Sequence, residues 1–188
     1  MTVRVTLISA ASGAAEREAR FADGPLDEAA RRRAADAAAG VPAAARVFCA
    51  PSVRCRETCA ALGLTPDAGA GAAPHDLDPG RWRGRSLAEV GAEEPEAVAR
   101  WLADPGAAPH GGESVLGLVA RVGGWLDSLV ADGGRVLAVV EPAVVRAAVV
   151  HGLGLPGEAF WRLDVRPLVR TELSGRVGRW NLRCGSAL

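Results

Sequence analysis

The stretch "VTLISAASGAAEREARF", residues 5–21, decides how the rest of the chain is interpreted. Apolar and β-branched residues from Val3 to Ile8 predict a buried strand, and the small residues from Ser9 to Gly13 predict a turn after it. Such a turn is where an α/β protein commonly carries its reactive side chains. Here it holds only Ser, Ala and Gly, so it offers neither a strong nucleophile nor a strong acid.

Composition narrows the possible functions. The 188 residues fit one domain spanning 1–188, and 22 basic residues balance 22 acidic ones, so we expect neither nucleic acid nor an anionic membrane as a partner. The chain has no Lys, Tyr or Gln, a bias typical of a GC-rich genome such as that of an actinobacterium. Without Lys and Tyr, acid and base chemistry falls to Asp, Glu, Cys and three His.

Neither a leader nor a cofactor is predicted. Residues 1–13 lack a basic segment followed by a long apolar one, and no apolar run reaches the roughly 18 residues of a membrane span, so we expect a cytoplasmic protein. The four Cys form no CxxC pair, and Cys55 and Cys59 are spaced as on a helix, which favours reduced thiols over a metal site. We therefore predict no metal and no cofactor.

Strands and helices alternate along the chain, which predicts an α/β fold with a parallel sheet. Beyond the first strand, the pattern predicts helices over 27–39, from Ser52 to about 62, over 113–130 and from Pro142 to about 153, and strands over 45–50 and 136–140. Residues 65–74 are predicted to form a loop. The tail is predicted to form two strands around a turn at Ser174-Gly175, and their exposed edge leaves a homodimer open.

Three strand ends are expected to meet in one pocket. Ser9, Arg54 and Glu141 follow three predicted strands, and ligands of open α/β sheets bind outside the carboxyl ends of the strands. The sequence therefore predicts a small-molecule site that contains these three side chains.

Several blocks in this order resemble the histidine phosphatase superfamily, the phosphoglycerate-mutase-like proteins. They are "LIS", "REARF", "PLDE", "APSVRCRETCA", "DLDPGRWRGRSLAEV", "PHGGES", "VLAVVEPAVVRAAVVHGLGLP" and "RPLVRTELSGRVGRWNL". The resemblance covers nearly the whole chain and implies a three-layer α/β/α fold with a mostly parallel central sheet.

The resemblance also implies a degenerate active site. It places the family's nucleophilic His at Ala10, the preceding Arg at Ser9, the following Gly at Ala11 and the second His at Glu141. Arg54 falls on the phosphate-binding Arg. A methyl side chain cannot accept a phosphoryl group, and an ionised Glu141 repels a phosphate dianion, so phosphatase chemistry by the family route is disfavoured.

The remaining polar residues suggest a pair of carboxylates. The resemblance points to Asp76 as the proton-donating acid, and two carboxylates in one apolar cleft tend to have separated pKa values, giving one acid and one base. Asp76 and Glu141 are the predicted catalytic pair, with Arg54 orienting the substrate and Ser9 and Ser12 at the rim. Two other interpretations stay open. Glu141 forms a structural salt bridge with Arg54 in a pocket that has no activity, and Asp76 is only a turn residue.

Five further residues are candidates for substrate binding. The resemblance implies Glu113 and Ser114 through "PHGGES", although Glu113 also suits the first turn of a helix. His75 and His110 flank these motifs but are equally consistent with surface loops, and Trp82 is placed to line the cleft. The other four Trp are assigned to the core or an interface.

The sequence is consistent with three functional hypotheses. The leading hypothesis is a lyase, cyclase or isomerase that acts on a small aromatic or carbonyl-bearing metabolite in actinobacterial secondary metabolism. The alternative is a pseudophosphatase that binds a ligand or partner without turnover. The third is a phosphatase with Asp76 or Glu141 as a substitute nucleophile.

Overall fold

A mixed five-stranded sheet forms the centre of the molecule, in the order β2-β3-β1-β4-β5. The computed structural model describes residues 2–69, 71–176 and 178–184. The strands are β1 Val3–Ser9, β2 Arg46–Cys49, β3 Gly134–Val140, β4 Arg170–Arg176 and β5 Arg179–Arg183. β1, β2 and β3 run parallel, β4 runs antiparallel to β1, and β5 at the edge runs antiparallel to β4.

Helices cover both faces of the sheet, which confirms the predicted α/β/α fold. They are α1 Ala14–Arg17, α2 Glu28–Ala37, α3 Val53–Ala61, α4 Leu87–Glu93, α5 Pro95–Ala103, α6 Val115–Ser128 and α7 Pro142–Leu153. Short 3-10 turns lie at Ala38–Gly40, Gly80–Trp82 and Gly157–Arg162. No helix in the part of the chain that the structure describes is long and apolar enough to cross a membrane.

The central strands are held by apolar burial. The last five residues of β3, from Val136 to Val140, are all buried, and β1 ends in three buried residues. Continuous apolar runs of this kind are typical of strands covered by helices on both faces. Because β3 lies between β1 and β2, the three carboxyl ends are brought to one edge of the sheet.

Side-chain caps fix where the helices near that edge begin. The Ser52 hydroxyl accepts a hydrogen bond from the Cys55 N–H at the start of α3, and the Ser114 hydroxyl accepts one from the Gly117 N–H at the start of α6. α7 instead begins with Pro142, whose missing N–H costs nothing in the first turn. Glu141 precedes it and makes no capping bond, so its carboxylate is available to the site.

The predicted hairpin turn at Ser174-Gly175 is wrong, because both residues lie within β4. Gly175 pairs with Trp180 across the hairpin, and a Cβ at position 175 would stand only 2.4 Å from Trp180 Cε3. The glycine is therefore required by the indole ring that covers it. The chain reverses after β4, near Gly178, where φ is +69°.

Candidate functional site

A cleft of about 280 Å³ opens at the carboxyl ends of the parallel strands. Its floor is formed by Glu16, Ser52, Arg54 and Glu141, and its aromatic wall by Phe21, Trp101, Phe160 and Trp161. Other lining residues include Arg20, Asp23, Asp76, Leu77, Arg83 and Arg146. A second hollow, of about 320 Å³, lies near the amino ends of β1 and β3, opposite the edge where α/β proteins bind ligands. The cleft is therefore the candidate site.

Arg54 is the centre of the floor. It is 6% exposed, and its Nη1 lies 2.8 Å from Glu16 Oε2, while its Nη2 donates to Glu141 Oε2. Glu141 is 1% exposed, and its other oxygen accepts from the Ser52 hydroxyl at 2.6 Å and from the Cys55 thiol at 3.4 Å. One guanidinium is thus clamped between two carboxylates.

The charges of the floor depend on one another. Burial lowers the pKa of Arg54, but the charges of Glu141 and Glu16 outweigh burial and raise it. Burial raises the pKa of Glu16, opposed by Arg54 and reinforced by Glu141. Burial, followed by the charge of Glu141, also raises the pKa of the Cys55 thiol. The floor therefore presents an ion-paired arginine, and the thiol behind it is buried and inert, so neither is a reactive nucleophile.

Asp76 stands at the mouth of the cleft. Its side chain is exposed, and its Oδ1 accepts a hydrogen bond from the Leu77 N–H at 2.8 Å. Reduced solvation between the walls, followed by the charge of Glu141, raises the pKa of Asp76 to about 7. Because solvent still reaches the carboxyl, water moderates this effect.

Aromatic residues from three separate segments of the chain form the wall of the cleft. Trp101, on α5, packs edge-on against Trp161 with 4.5 Å between ring centroids, and Phe21 lies 5.8 Å from Trp101. The Nε1–H groups of Trp101 and Trp161 are buried and have no acceptor among the described residues. The wall thus offers flat apolar surface, while the two indole N–H groups are buried away from solvent.

The structure brings together three of the predicted site residues, Arg54, Asp76 and Glu141, in the cleft. The contact between Arg54 and Glu141 is the ion pair that one of the open interpretations expected. What Asp76 and Glu141 do chemically stays a prediction.

Two predicted serines do not line the cleft. Ser9 is fully buried and donates to the carbonyl oxygen of Arg166 at 2.5 Å, where it fastens the end of β1 to the chain before β4. Ser12 is half-buried beside Glu16 and is not part of the lining.

Glu113 and Ser114 also lie outside the lining. Glu113 accepts two hydrogen bonds from Arg121, at 2.9 Å from Nε and 2.7 Å from Nη2. Ser114 caps α6. Both residues therefore make contacts that stabilise the start of α6.

His75, His110 and Trp82 are not in the lining either. His75 is exposed and its Nδ1 lies 2.7 Å from the backbone oxygen of Asp76. His110 is 1% exposed and packs against Trp82 with 4.9 Å between ring centroids. Trp82 is fully buried behind the wall, so Trp101 and Trp161 line the cleft in its place.

Sequence reasoning missed Glu16, Phe21, Trp101, Trp161 and Arg146. Two of these carried a usable signal. Glu16 lies in the opening stretch, seven residues after the end of β1, and Arg146 is the only charged residue between Pro142 and Val150 in an apolar helix. The tryptophans carried none, because an aromatic residue is equally suited to a core.

The described residues contain no group of three or more His, Cys, Asp and Glu side chains that could hold a metal ion.

Solved structures with the same fold cover nearly the whole chain. Mycobacterial glucosyl-3-phosphoglycerate phosphatase complexed with VO3 is 25% identical, with a TM-score of 0.82 over 96% of this chain and 97% of that one. A putative alpha-ribazole-5'-P phosphatase from Escherichia coli is 19% identical, with a TM-score of 0.79 over 96% and 94%. A mutant phosphoserine phosphatase from Entamoeba histolytica, in complex with phosphoserine, is 15% identical, with a TM-score of 0.79 over 97% and 95%. A search among curated proteins found no match.

These comparisons overturn the leading functional hypothesis. A lyase, cyclase or isomerase was expected because the catalytic set is replaced, but the structures that the chain resembles are phosphatases. Replacement of a catalytic set shows which reaction is impeded and gives no information about a new one.

The family model of the histidine phosphatase superfamily (branch 1) matches residues 13–186. The match begins after the turn at Ser9–Ala11 and includes Arg54, Asp76 and Glu141. The chain belongs to the histidine phosphatase superfamily.

Proposed function

We propose that the protein binds a small ligand in the cleft and does not transfer phosphoryl groups through a histidine. The observation that carries this proposal is the ion pair on the floor: Arg54 is held by Glu141 and Glu16, in the position where a phosphate would need a free guanidinium.

The cleft lacks the side chain on which the family chemistry depends. Covalent phosphoryl transfer needs an activated nucleophile, and the described lining of the cleft contains no imidazole or thiol. Of the three His in the chain, His75 lies on a loop, His110 lies behind the aromatic wall, and His151 lies near the end of α7 and contacts Asp127. None of them lines the floor.

Electrostatics also oppose a phosphate on the floor. The two carboxylates of Glu16 and Glu141 outnumber the one guanidinium of Arg54. Two unit charges about 4 Å apart repel by roughly 4 kcal/mol at an effective dielectric constant near 20. A phosphate dianion would therefore have to displace or protonate one of the carboxylates before Arg54 could bind it.

The rest of the cleft is suited to holding a ligand. Its volume of about 280 Å³ matches a small organic molecule, and its wall offers aromatic surface for a planar group. The phosphoserine phosphatase structure from Entamoeba histolytica is that of a His-to-Ala mutant in complex with phosphoserine. That complex supports the idea that this fold keeps a ligand pocket when a histidine is lost.

A phosphatase that uses a substitute nucleophile is the second candidate. The similarity to phosphatases favours it, and so does Asp76, whose carboxylate makes no ion pair with a described residue. In this reaction an Asp76 oxygen would attack the phosphorus atom and the alcohol would leave, giving an acyl phosphate that water then hydrolyses.

The two candidates separate in one experiment. We expect no turnover of p-nitrophenyl phosphate or phosphoserine by the wild type, and weak vanadate binding by calorimetry. Glu141→Gln removes one of the two negative charges that hold Arg54 and leaves Glu16, so vanadate affinity should rise about ten-fold, equivalent to about 1.4 kcal/mol. Glu172→Gln, on β4 away from the cleft, is the control for loss of one negative charge. Turnover by the wild type that Asp76→Asn abolishes would establish the second candidate instead.

A further inference from the structure

Arg146 differs from the other arginines of the cleft. Arg20 pairs with Glu18 and Glu89, Arg54 with Glu16 and Glu141, and Arg83 with Asp78. Arg146 makes no ion pair with any carboxylate in the described parts of the chain. The cleft therefore contains one cation that the protein itself does not neutralise.

The guanidinium of Arg146 is nevertheless fixed in place. It projects from α7, its Nε donates to the carbonyl oxygen of Leu163 at 2.8 Å, and its Cζ lies 5.8 Å from the centre of the Phe160 ring. These contacts use one edge and one face of the group. The two Nη atoms donate to no described acceptor, and neither is among the buried unpartnered atoms, so solvent reaches both. Arg146 lines the cleft and also a smaller hollow beside Leu163 and Asp164.

An unpaired guanidinium is costly in this position. Arg146 is half-buried, and burial lowers its pKa, an effect that Asp164 and Asp76 oppose only from a distance. A partly desolvated charge without a partner is stabilised when an opposite charge binds beside it. The position thus favours an anion supplied from outside.

The neighbouring wall indicates what carries that anion. Trp101 and Trp161 line the same cleft with flat apolar surface. A planar ring suits such a wall. A dianion does not, because Asp76 lines the same cleft and the floor carries two further carboxylates.

We propose that Arg146 is the ligand-binding arginine of this cleft and that the ligand is a small aromatic monocarboxylate. The inference rests on the proposed function and names its ligand class. The carboxylate accepts two parallel hydrogen bonds from Arg146, a geometry that a guanidinium and a carboxylate share. The ring lies against Trp101 and Trp161, and the carboxylate is held away from Glu141.

Isothermal titration with benzoate, benzamide and phenyl phosphate tests this inference on the full chain. Benzamide keeps the ring and loses the charge, whereas phenyl phosphate adds charge. We expect the wild type to bind benzoate most tightly, and Arg146→Gln to weaken benzoate about ten- to hundred-fold while changing benzamide affinity less than about three-fold. Arg162→Gln, an exposed arginine next to Leu163, is the matched control for the loss of one positive charge and should leave benzoate affinity unchanged. Circular dichroism confirms that each variant is folded.

The other outcomes overturn the inference. An equal loss of benzoate and benzamide in Arg146→Gln would mean that Arg146 only shapes the cleft. Failure of the wild type to bind benzoate at millimolar concentration would exclude aromatic monocarboxylates as the ligand class. The proposed function would still stand or fall separately, on the assay for phosphatase turnover. Tighter binding of phenyl phosphate that depends on Arg54, accompanied by turnover, would overturn both.

Discussion

The floor and the aromatic wall of the cleft each have an arginine, but the two arginines differ in whether a carboxylate neutralises their charge. Arg54 on the floor is buried and pairs with two carboxylates, whereas Arg146 beside the wall is half-buried and pairs with none of the described carboxylates. At the floor, the Ser52 hydroxyl and the Cys55 thiol behind it both donate to Glu141, whereas two buried indole N–H groups of the wall have no acceptor in the described part of the chain. The comparison predicts that an anion entering the cleft binds at Arg146 and not at Arg54, because Arg54 is already neutralised.

The largest expected effect comes from removing the cation of the floor. Arg54→Leu leaves Glu16 and Glu141 facing each other without compensation, so the free energy of unfolding should fall by about 3–5 kcal/mol. Urea denaturation measures this change. Arg32→Leu, which breaks an exposed pair with Glu28, is the control and should lower stability by less than about 1 kcal/mol. Similar values for the two variants would contradict a tightly coupled floor.

A smaller effect is expected where the floor meets α3. Ser52→Ala removes both the cap of α3 and the hydrogen bond to Glu141, and should destabilise the fold by about 1–2 kcal/mol. Ser114→Ala removes only the cap of α6, so its loss should be smaller. Thermal denaturation of both variants gives the difference, and equal losses would mean that the bond to Glu141 contributes little.

Asp76 should make stability fall as the pH rises. Its folded pKa of about 7 lies above its ordinary value of 3.8, so the folded state holds the proton more tightly than the unfolded state. Its contribution is complete below about pH 4 and is lost as the pH rises to about 7. Asp76→Asn removes that loss and should gain about 1 kcal/mol at pH 8, a value kept small because solvent reaches the side chain.

Urea denaturation between pH 4 and 8 tests this sign. The difference between Asp76→Asn and the wild type should grow with pH. A constant difference would show that the carboxyl titrates in its ordinary range.

The smallest expected effect is on the wall side, and it has the opposite sign. Burial lowers the pKa of His110 below its ordinary value of 6.5, so the folded state resists its protonation and stability is lost as the pH falls below about 6.5. An NMR titration of the imidazole reads this pKa directly. A His110 pKa at or above the ordinary value would mean that the buried Nε2 has found an acceptor.

The sequence predicted the floor better than the wall, for a physical reason. Arg54 and Glu141 lie within five residues of strand ends, and a parallel sheet must bring its strand ends together. Trp101 and Trp161 reach the cleft only through the packing of α5 and of the 3-10 turn at Gly157–Arg162, and no local pattern encodes that packing. The expectation that Trp82 lines the cleft has the same origin, because its neighbours are set by tertiary contacts with Trp101 and His110.

Elsewhere in the chain, patterns of local sequence predicted the strands and helix starts correctly but one turn incorrectly. Apolar runs identified β1 and β3, and Ser52 and Ser114 marked the starts of two helices. Gly175 suggested a turn because glycine is common in turns, yet here it makes room for the ring of Trp180. The role of a glycine thus depends on which residues pack against it, and local sequence does not show that packing.

Ser52 links the floor of the cleft to a backbone amide whose hydrogen exchange can be measured. Its hydroxyl oxygen accepts from the Cys55 amide while its proton goes to Glu141, so the two bonds share one atom. A ligand that pulls Glu141 away would weaken the protection of that amide against exchange with deuterium. The Cys55 amide is therefore a built-in spectroscopic reporter: its exchange rate separates ligands that open the floor from those that settle against the wall.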